Sequence, residues 1–167
     1  ARYTANGDLL YAFKLGGTGT DGCLDMRLAG SSLWLAGRFS NQVDFDPGAG
    51  TASYTSAGNT DGWIGKYDLA TGSYEQAWTF GSTSVDLINS IFFNGNGTLQ
   101  IGGSFSATVD FDPSVSVAMR TSTLGYSNGV VIQYTAAGDH VWNNTIGGFL
   151  PLFHERPSAL GMAPNGE

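Results

Sequence analysis

The sequence predicts an all-β chain built from tandem antiparallel repeats, and three observations lead to this fold class. Glycine makes up 25 of the 167 residues, whereas charged residues make up only 13%. This composition is typical of short strands joined by tight turns, because turns use glycine while strands favour aromatic and β-branched side chains. No window has the i, i+3, i+4, i+7 apolar spacing of an amphipathic helix. A sequence motif also recurs at a fixed distance along the chain.

The recurring motif is Val-Asp-Phe-Asp-Pro, at residues 43–47 and 109–113, and its two copies begin 66 residues apart. A Gly-x-Phe-Ser segment precedes each copy, at residues 37–40 and 103–106. Matches that share one period over many positions indicate an internal repeat. The spacing predicts one domain over residues 1–167 with tandem repeats of about 66 residues. Their approximate bounds are 3–66, 67–133 and 134–167, and the last repeat is incomplete.

Each repeat is predicted to contain several short strands. In the first repeat they are expected near residues 9–15, 23–29, 33–39, 42–45, 52–56 and 62–67. Asn-Gly and Asp-Gly pairs predict hairpin turns, because a type I′ turn needs positive φ at both central residues. These pairs are at residues 6–7, 61–62, 96–97, 128–129 and 165–166. Pro47 and Pro113 cannot donate to a sheet, so each is expected to end an outer strand.

One such repeat cannot bury both faces of its own sheet, so neighbouring repeats must stack on one another. Radial stacking predicts about two and a half blades of a β-propeller, either as a fragment or as part of a larger assembly. Two sheet edges would then be open to pairing with other chains. The alternative is a linear array of small β-domains. The spread of aromatic and small apolar residues through every strand favours sheets that are covered on both faces.

The charge and the apolar runs exclude several classes of partner. Seven Lys and Arg against fourteen Asp and Glu give a net charge of −7, which disfavours nucleic acid and anionic membrane surfaces. No apolar run approaches 18 residues, so insertion into a membrane is not expected. The single cysteine, Cys23, is predicted to be a small buried hydrophobe. Because the pattern starts and stops part-way through a repeat, the chain is interpreted as a piece of a longer protein that supplies the remaining blades.

The candidate metal ligands are the paired carboxylates Asp44 with Asp46 and Asp110 with Asp112. Residues two apart on a strand share one face, so each pair points two oxygens the same way. Calcium prefers such oxygens but needs six to eight of them, and the motif lacks a distal Glu. The competing interpretation is that the carboxylates cap the turn backbone while Phe45 and Phe111 pack on the other face. Apart from this possible calcium, no cofactor is expected.

The other polar residues give no catalytic pattern. The sequence contains no Gly-x-Ser-x-Gly nucleophile elbow, no phosphate-binding loop and no His-Glu-x-x-His zinc motif. Asp21, Asp86 and Glu155 fall at one repeat position and are expected to tie loops to neighbouring blades through hydrogen bonds. An acid pair for glycoside cleavage stays open, because two carboxylates can come from any part of a fold. The tryptophans are expected to pack between blades rather than stack on sugars.

The motif order resembles a known family. A strand ending in Gly-x-Phe-Ser, then Val-Asp-Phe-Asp-Pro, then Asp-Gly-Trp-Ile-Gly-Lys-Tyr-Asp at residues 61–68 looks like the SBBP-type β-propeller repeats of bacteria. The resemblance extends over the whole chain, although Asn128, Gln133 and Ser114 depart from it in the second copy. It implies a secreted or cell-surface bacterial protein. The expected function is a non-catalytic binding or scaffold module whose partner is another protein, a glycan or a sister subunit.

Two other functions stay open beside this one. The first is a structural subunit that builds an extracellular assembly or filament through its open sheet edges. The second is an enzyme acting on polysaccharides, with its site on the propeller axis. If the chain is a binding module, its partner is expected to contact the loops that differ most between copies, at residues 47–60, 113–127 and 147–157.

Overall fold

The computed structural model describes residues 1–123 and 126–147, and it confirms the all-β fold class. In these residues fourteen strands form antiparallel sheets. The strands are β1 (Arg2–Tyr3), β2 (Leu9–Tyr11), β3 (Gly22–Ala29), β4 (Ser32–Phe39), β5 (Gln42–Asp44), β6 (Ser53–Thr55), β7 (Asp61–Asp68), β8 (Tyr74–Phe80), β9 (Leu87–Phe93), β10 (Leu99–Phe105), β11 (Thr108–Asp110), β12 (Met119–Thr121), β13 (Asn128–Tyr134) and β14 (His140–Ile146).

Two four-stranded antiparallel sheets dominate the molecule. The first sheet has the order β3-β4-β7-β8, and the second has the corresponding order β9-β10-β13-β14. Between its second and third strands each sheet carries a small hairpin, β5-β6 in the first and β11-β12 in the second. A further pair, β1-β2, precedes the first sheet. The two sheets are therefore built alike, strand for strand.

The sheets keep the 66-residue spacing but differ in phase from the bounds drawn on the sequence. Phe39 ends β4 and Phe105 ends β10, 66 residues apart. The first sheet runs over residues 22–80 and the second over 87–146, so each sheet extends across one sequence-derived boundary. Tyr3 pairs with Leu9 as Tyr67 pairs with Tyr74, so β1 and β2 correspond to the third and fourth strands of a sheet. The last part of the third repeat, residues 148–167, lies outside the described residues.

The two sheets pack face to face, and this contact is the larger part of the core. The face of the first sheet that contacts the second sheet is called its far face. It consists of the side chains of Trp34, Ala36, Ile64, Trp78 and Phe80. The second sheet contributes its near face, and this set includes Ile88, Ile91, Leu99, Ile101, Phe105, Val130, Ile132 and Tyr134. The near face of the first sheet forms a second cluster, in which Phe13 and Leu15 pack against residues that include Leu35 and Tyr67.

The Gly-containing turns differ in part from the prediction. At residues 6–7 and 96–97 the glycine alone has positive φ, +89° at Gly7 and +83° at Gly97, so these are not type I′ turns. The pairs at 61–62 and 128–129 are not turns, because they begin strands β7 and β13. Gly62 packs against the backbone of the next sheet, where a Cβ would be 3.1 Å from Ile88 N. The pair at 165–166 lies outside the described residues.

Candidate functional site

The four predicted site residues lie at the tips of the two small hairpins, and their carboxylates accept equivalent backbone amides at both tips. In the first hairpin, Asp44 Oδ1 accepts the amides of Asp46 at 3.0 Å and Ala52 at 2.8 Å. In the second, Asp110 Oδ1 accepts the amides of Asp112 at 3.0 Å and Ala118 at 2.8 Å. One carboxylate oxygen therefore fixes both ends of each tip, as expected for a carboxylate that caps a turn.

The second carboxylate of each pair continues this arrangement. Asp46 Oδ1 accepts the amide of Gly48 at 2.8 Å, and Asp112 Oδ1 accepts that of Ser114 at 2.9 Å. Hydrogen bonds from Ser114 lower the pKa of Asp112 below its usual value, and the charge of His140 adds to this effect. Asp112 is thus held in its charged form, which is the form that accepts backbone amides best.

The aromatic residue between the two carboxylates anchors each hairpin to its sheet. Phe45 and Phe111 are buried, and their carbonyls accept the hydroxyls of Tyr67 at 3.0 Å and Tyr134 at 2.7 Å. Burial raises the pKa of both tyrosines, so both hydroxyls keep the proton that they donate. The Asp-x-Asp spacing therefore puts the carboxylates towards the turn and the ring into the core.

Among the described residues, neither acidic pair gains a third His, Cys, Asp or Glu side chain in the geometry of a metal site. In residues 1–123 and 126–147, no group of three or more His, Cys, Asp and Glu side chains has the geometry of a metal site. Each pair has one oxygen of each carboxylate committed to backbone amides. Calcium at Asp44, Asp46, Asp110 and Asp112 stays a prediction, because the other oxygens and backbone carbonyls of a hairpin tip are the ligand types that calcium uses.

Asp21 and Asp86 tie loops together at equivalent places before the two sheets. Asp21 accepts the amides of Gly17 at 2.8 Å and Ser40 at 3.3 Å. Asp86 accepts the amides of Ser82 and Ser106, each at 2.7 Å. These bonds join the loop before each sheet to the end of that sheet's second strand. Burial raises the pKa of Asp86, and the amide hydrogen bonds oppose that rise. Glu155, the third residue of this set, lies outside the described residues.

Asp61 has an environment that its sequence motif does not reveal. It is buried at the start of β7, and its Oδ2 accepts the Ala57 amide at 2.9 Å. Within the described part of the chain, its Oδ1 is buried with no hydrogen-bond partner. Burial raises the pKa of Asp61 to about 6, and the nearby charge of Asp86 adds to this rise. In the second sheet Asn128 takes this place, and it accepts the Thr123 amide at 3.3 Å.

We expect the substitution Asp61→Asn to stabilise the protein above about pH 6. A carboxyl whose pKa is higher in the folded state than in the unfolded state favours folding when protonated, so its contribution falls as pH rises from about 4 to about 6. Asparagine stays neutral throughout, as Asn128 does in the second sheet. The expected gain at pH 7 is about 1–2 kcal/mol in the free energy of unfolding, measured by urea unfolding. A gain that is the same at pH 4 and pH 7 would contradict this origin.

A cleft lies between the two hairpins, on the outside of the sheet contact. It has a volume of about 410 Å³. One wall is formed by the first hairpin and the other by the second, with β8 between them. Asp110 and Asp112 line the second wall, and Asp61 also lines the cleft. The pair in the first hairpin, Asp44 and Asp46, does not line this cleft, so the structure does not bring the two acidic pairs together.

The hairpin tips differ between the two copies. Residues 47–51 read Pro-Gly-Ala-Gly-Thr, whereas residues 113–117 read Pro-Ser-Val-Ser-Val. Val115 and Val117 are large apolar side chains that project into solvent. The carboxylate hydrogen bonds that support the tip are equivalent in both copies, and the second tip adds a bond from the Ser116 amide to Ser114 Oγ at 3.1 Å. The valines therefore change what the second tip presents, while the support from the carboxylates is kept. The motif spacing located the tips, but the exposure of these valines could not be read from the sequence.

The structure places the other singled-out residues as follows. Trp34, Trp63 and Trp78 are buried, as expected from packing, while Trp142 is half-buried. His140 Nε2 lies 3.0 Å from Asn143 Nδ2, and its ring meets Tyr134 edge to face. Cys23 is exposed, so its predicted burial is wrong. His154, Glu155 and most of the segment 147–157 lie outside the described residues.

No family model matches this chain, and no curated protein is similar to it at a significant level.

Proposed function

We propose that this chain is a non-catalytic binding and scaffold module of a large secreted or cell-surface bacterial protein, and that its sheets are β-propeller blades. The observation that carries the proposal is the contrast at the hairpin tips. A tip frame with the same hydrogen bonds occurs in both copies, while the side chains that it presents differ. Loops that vary on a constant support are where binding residues commonly occur. The partner is a protein or a glycan that contacts the tip at residues 113–117.

The roles of the carboxylates support a module without catalysis. A catalytic acid or base needs a carboxyl that is within reach of the substrate. Asp44, Asp86 and Asp110 instead use their oxygens to accept two or more backbone amides each. Asp61 has a raised pKa, but its partnerless oxygen is buried away from solvent.

No helix that could span a lipid bilayer is found among the described residues.

The test is a double substitution at the second tip, Val115→Ser with Val117→Ser. Both side chains are exposed, so the free energy of unfolding is expected to change by less than about 0.5 kcal/mol. We expect the wild-type chain to bind at least one member of an array of extracellular glycans and matrix proteins. The double variant should bind that member at least about tenfold more weakly, because both apolar contact side chains are lost from the tip. A tenfold weaker affinity corresponds to about 1.4 kcal/mol of binding free energy.

The matched control is Val141→Ser, which removes an exposed valine from β14 instead of from a hairpin tip. It should bind like the wild type. Equal binding by the wild type, the control and the double variant would contradict a role for the tip. No binding to any member of the array would contradict a binding function.

A second candidate function is a structural subunit of an extracellular assembly. The observation that favours it is a set of exposed apolar side chains on the first sheet, which includes Leu24, Met26 and Leu28. A subunit that assembles through such a surface should show a native mass that rises with protein concentration. A constant mass of one chain would contradict this candidate.

A further inference from the structure

Strand β3, at one edge of the first sheet, is exposed at positions where the corresponding strand β9 of the second sheet is buried. Met26 is 57% exposed, whereas its counterpart Ile91 is 0% exposed. Leu28 is 62% exposed, whereas its counterpart Phe93 is partly buried against the core between the sheets. Cys23 is exposed, while its counterpart Ile88 is buried. Equivalent positions of two sheets that are built alike thus have opposite environments.

Strand register shows that these exposed side chains lie on one face. Directly opposed residues of paired strands point to the same side of a sheet. Met26 pairs with Leu35 in the first sheet, and Ile91 pairs with Ile101 in the second. Leu28 pairs with Leu33, as Phe93 pairs with Leu99. The exposed residues of β3 therefore belong to the near face of the first sheet, the face by which the second sheet packs against its predecessor.

The part of this near face that lies around Tyr67 is already covered by the segment that carries Phe13, and the equivalent part of the second sheet is covered by β8. Phe13 stacks on Tyr67 with ring centroids 5.3 Å apart, and Trp78 meets Tyr134 in the same manner at 5.6 Å. The segment that carries Phe13 corresponds to the outer strand of a preceding sheet. Tyr3, the counterpart of Tyr67 in that segment, is 58% exposed, whereas Tyr67 is 0% exposed. On the near face of the first sheet, therefore, Tyr67 of β7 is covered, whereas the side chains of β3 are exposed.

We infer that the exposed near face of the first sheet binds the far face of a preceding repeat of the same architecture, linked in series in the same polypeptide. The chemistry of the occupant follows from the contact between the two sheets, where Trp34, Ile64 and Trp78 cover the near face of the second sheet. The far face of the second sheet is a poor substitute. Gln100 and Gln133 occupy the places of Trp34 and Lys66 there and bond to each other at 3.0 Å. A second copy of the chain therefore offers a more polar surface than the site is built to accept.

The test duplicates one repeat inside the full chain. Residues 1–80 are followed directly by residues 16–167, so that the junction of Phe80 with Gly16 replaces the natural Phe80-Gly81 step. The upstream first sheet then meets the near face of the downstream first sheet. Each duplicated chain keeps Cys23 in one copy and carries Cys23→Ser in the other. The rate at which the remaining thiol reacts with Ellman's reagent in native buffer reports whether β3 is covered.

We expect the thiol of the downstream copy to react at least about 100-fold more slowly than Cys23 of the wild-type chain, which has no duplication. Reaction of the covered thiol would require the two sheets to separate locally. The matched control keeps the thiol in the upstream copy, and it should react at the wild-type rate. Equal rates in the two duplicated chains would overturn the inference. An upstream repeat that stays unfolded by circular dichroism would also overturn it, since its far face would have found no partner.

A second copy as the occupant gives a separate outcome. Thiol protection in the wild-type chain that increases with protein concentration, together with a rising native mass, would show that copies of the chain cover this face. That result would overturn the assignment to a repeat in series. None of these measurements uses the hairpin tips, so the inference can fail while the proposed binding function stands, and the reverse is also possible.

Discussion

Replacing Trp78 with alanine is expected to destabilise the protein by about 3–5 kcal/mol, the range for a buried tryptophan that leaves a cavity. Trp78 is buried on the far face of the first sheet, where its ring meets Trp34 at 6.0 Å and Tyr134 at 5.6 Å. It therefore joins two sheets whose strands do not pair with one another, although the Ile91 amide of the second sheet donates to Asp25 Oδ2 of the first at 2.7 Å. Aromatic pairs of this kind contribute beyond the area that they bury. The measurement is urea unfolding followed by circular dichroism, with the midpoint and slope fitted together.

The control for this prediction is Trp142→Ala, which removes the same side chain from a half-buried position on β14. We expect a loss of less than about 1.5 kcal/mol there, because less apolar surface returns to water. Equal losses at the two positions would contradict the view that contact between the sheets is the larger part of the core. A Trp78→Ala chain that unfolds in two separate steps would show that the sheets had lost their coupling.

The substitution Gly103→Ala is expected to cost about 3 kcal/mol, near the upper end for overpacking a core. Gly103 is the glycine of the second Gly-x-Phe-Ser segment, and it pairs with Ile88 beside a break in register between β9 and β10. A Cβ at this position would overlap the Leu87 carbonyl oxygen on the neighbouring strand. Gly37 has the same relation to the Gly22 carbonyl in the first sheet. The backbone of two strands must move apart to admit even one methyl group, and thermal unfolding measures the cost.

Gly22→Ala provides the matched control in strand β3. A Cβ there meets no atom within 4 Å, so the free energy of unfolding is expected to change by less than about 1 kcal/mol. The change should favour folding, because alanine reduces the conformational entropy of the unfolded chain. A Gly103→Ala chain as stable as Gly22→Ala would contradict the close approach of the strands. Loss of stability at both positions would instead indicate a general intolerance of alanine in these strands.

The sequence alone predicted the parts of this protein that depend on local chemistry. In the first repeat, apolar runs bounded by turn residues located β3 to β7 within one or two residues. The strand predicted for residues 9–15 ends at Tyr11 in the structure. The Asp-x-Asp spacing predicted that the carboxylates would share one face opposite Phe45 and Phe111, and the hairpin tips have that arrangement.

Contacts between distant segments could not be predicted in the same way. Cys23 was expected to be buried from its strand-like neighbours, yet burial depends on whether another sheet lies against it. The Asp-Gly pair at residues 61–62 looks like a hairpin turn, but Asp61 bonds to the Ala57 amide and Gly62 packs against the following sheet, so the segment is extended. The exposure of Cys23 and the packing of Gly62 both depend on another sheet, which is distant in sequence, whereas the Ala57 bond to Asp61 is local.

The all-β class and the 66-residue spacing could be predicted from the amino-acid sequence, because turn chemistry and strand-favouring residues act over a few neighbouring positions. For the hairpin tips, the sequence left carboxylate capping and calcium binding open as alternatives. Where each sheet begins and ends, and which of its faces are covered, is known only from the three-dimensional structure. The same structure shows that Asp61 is buried with a raised pKa and that Met26 is exposed. These properties depend on the packing of one sheet against another, and local sequence does not specify which surface of a sheet will meet a partner.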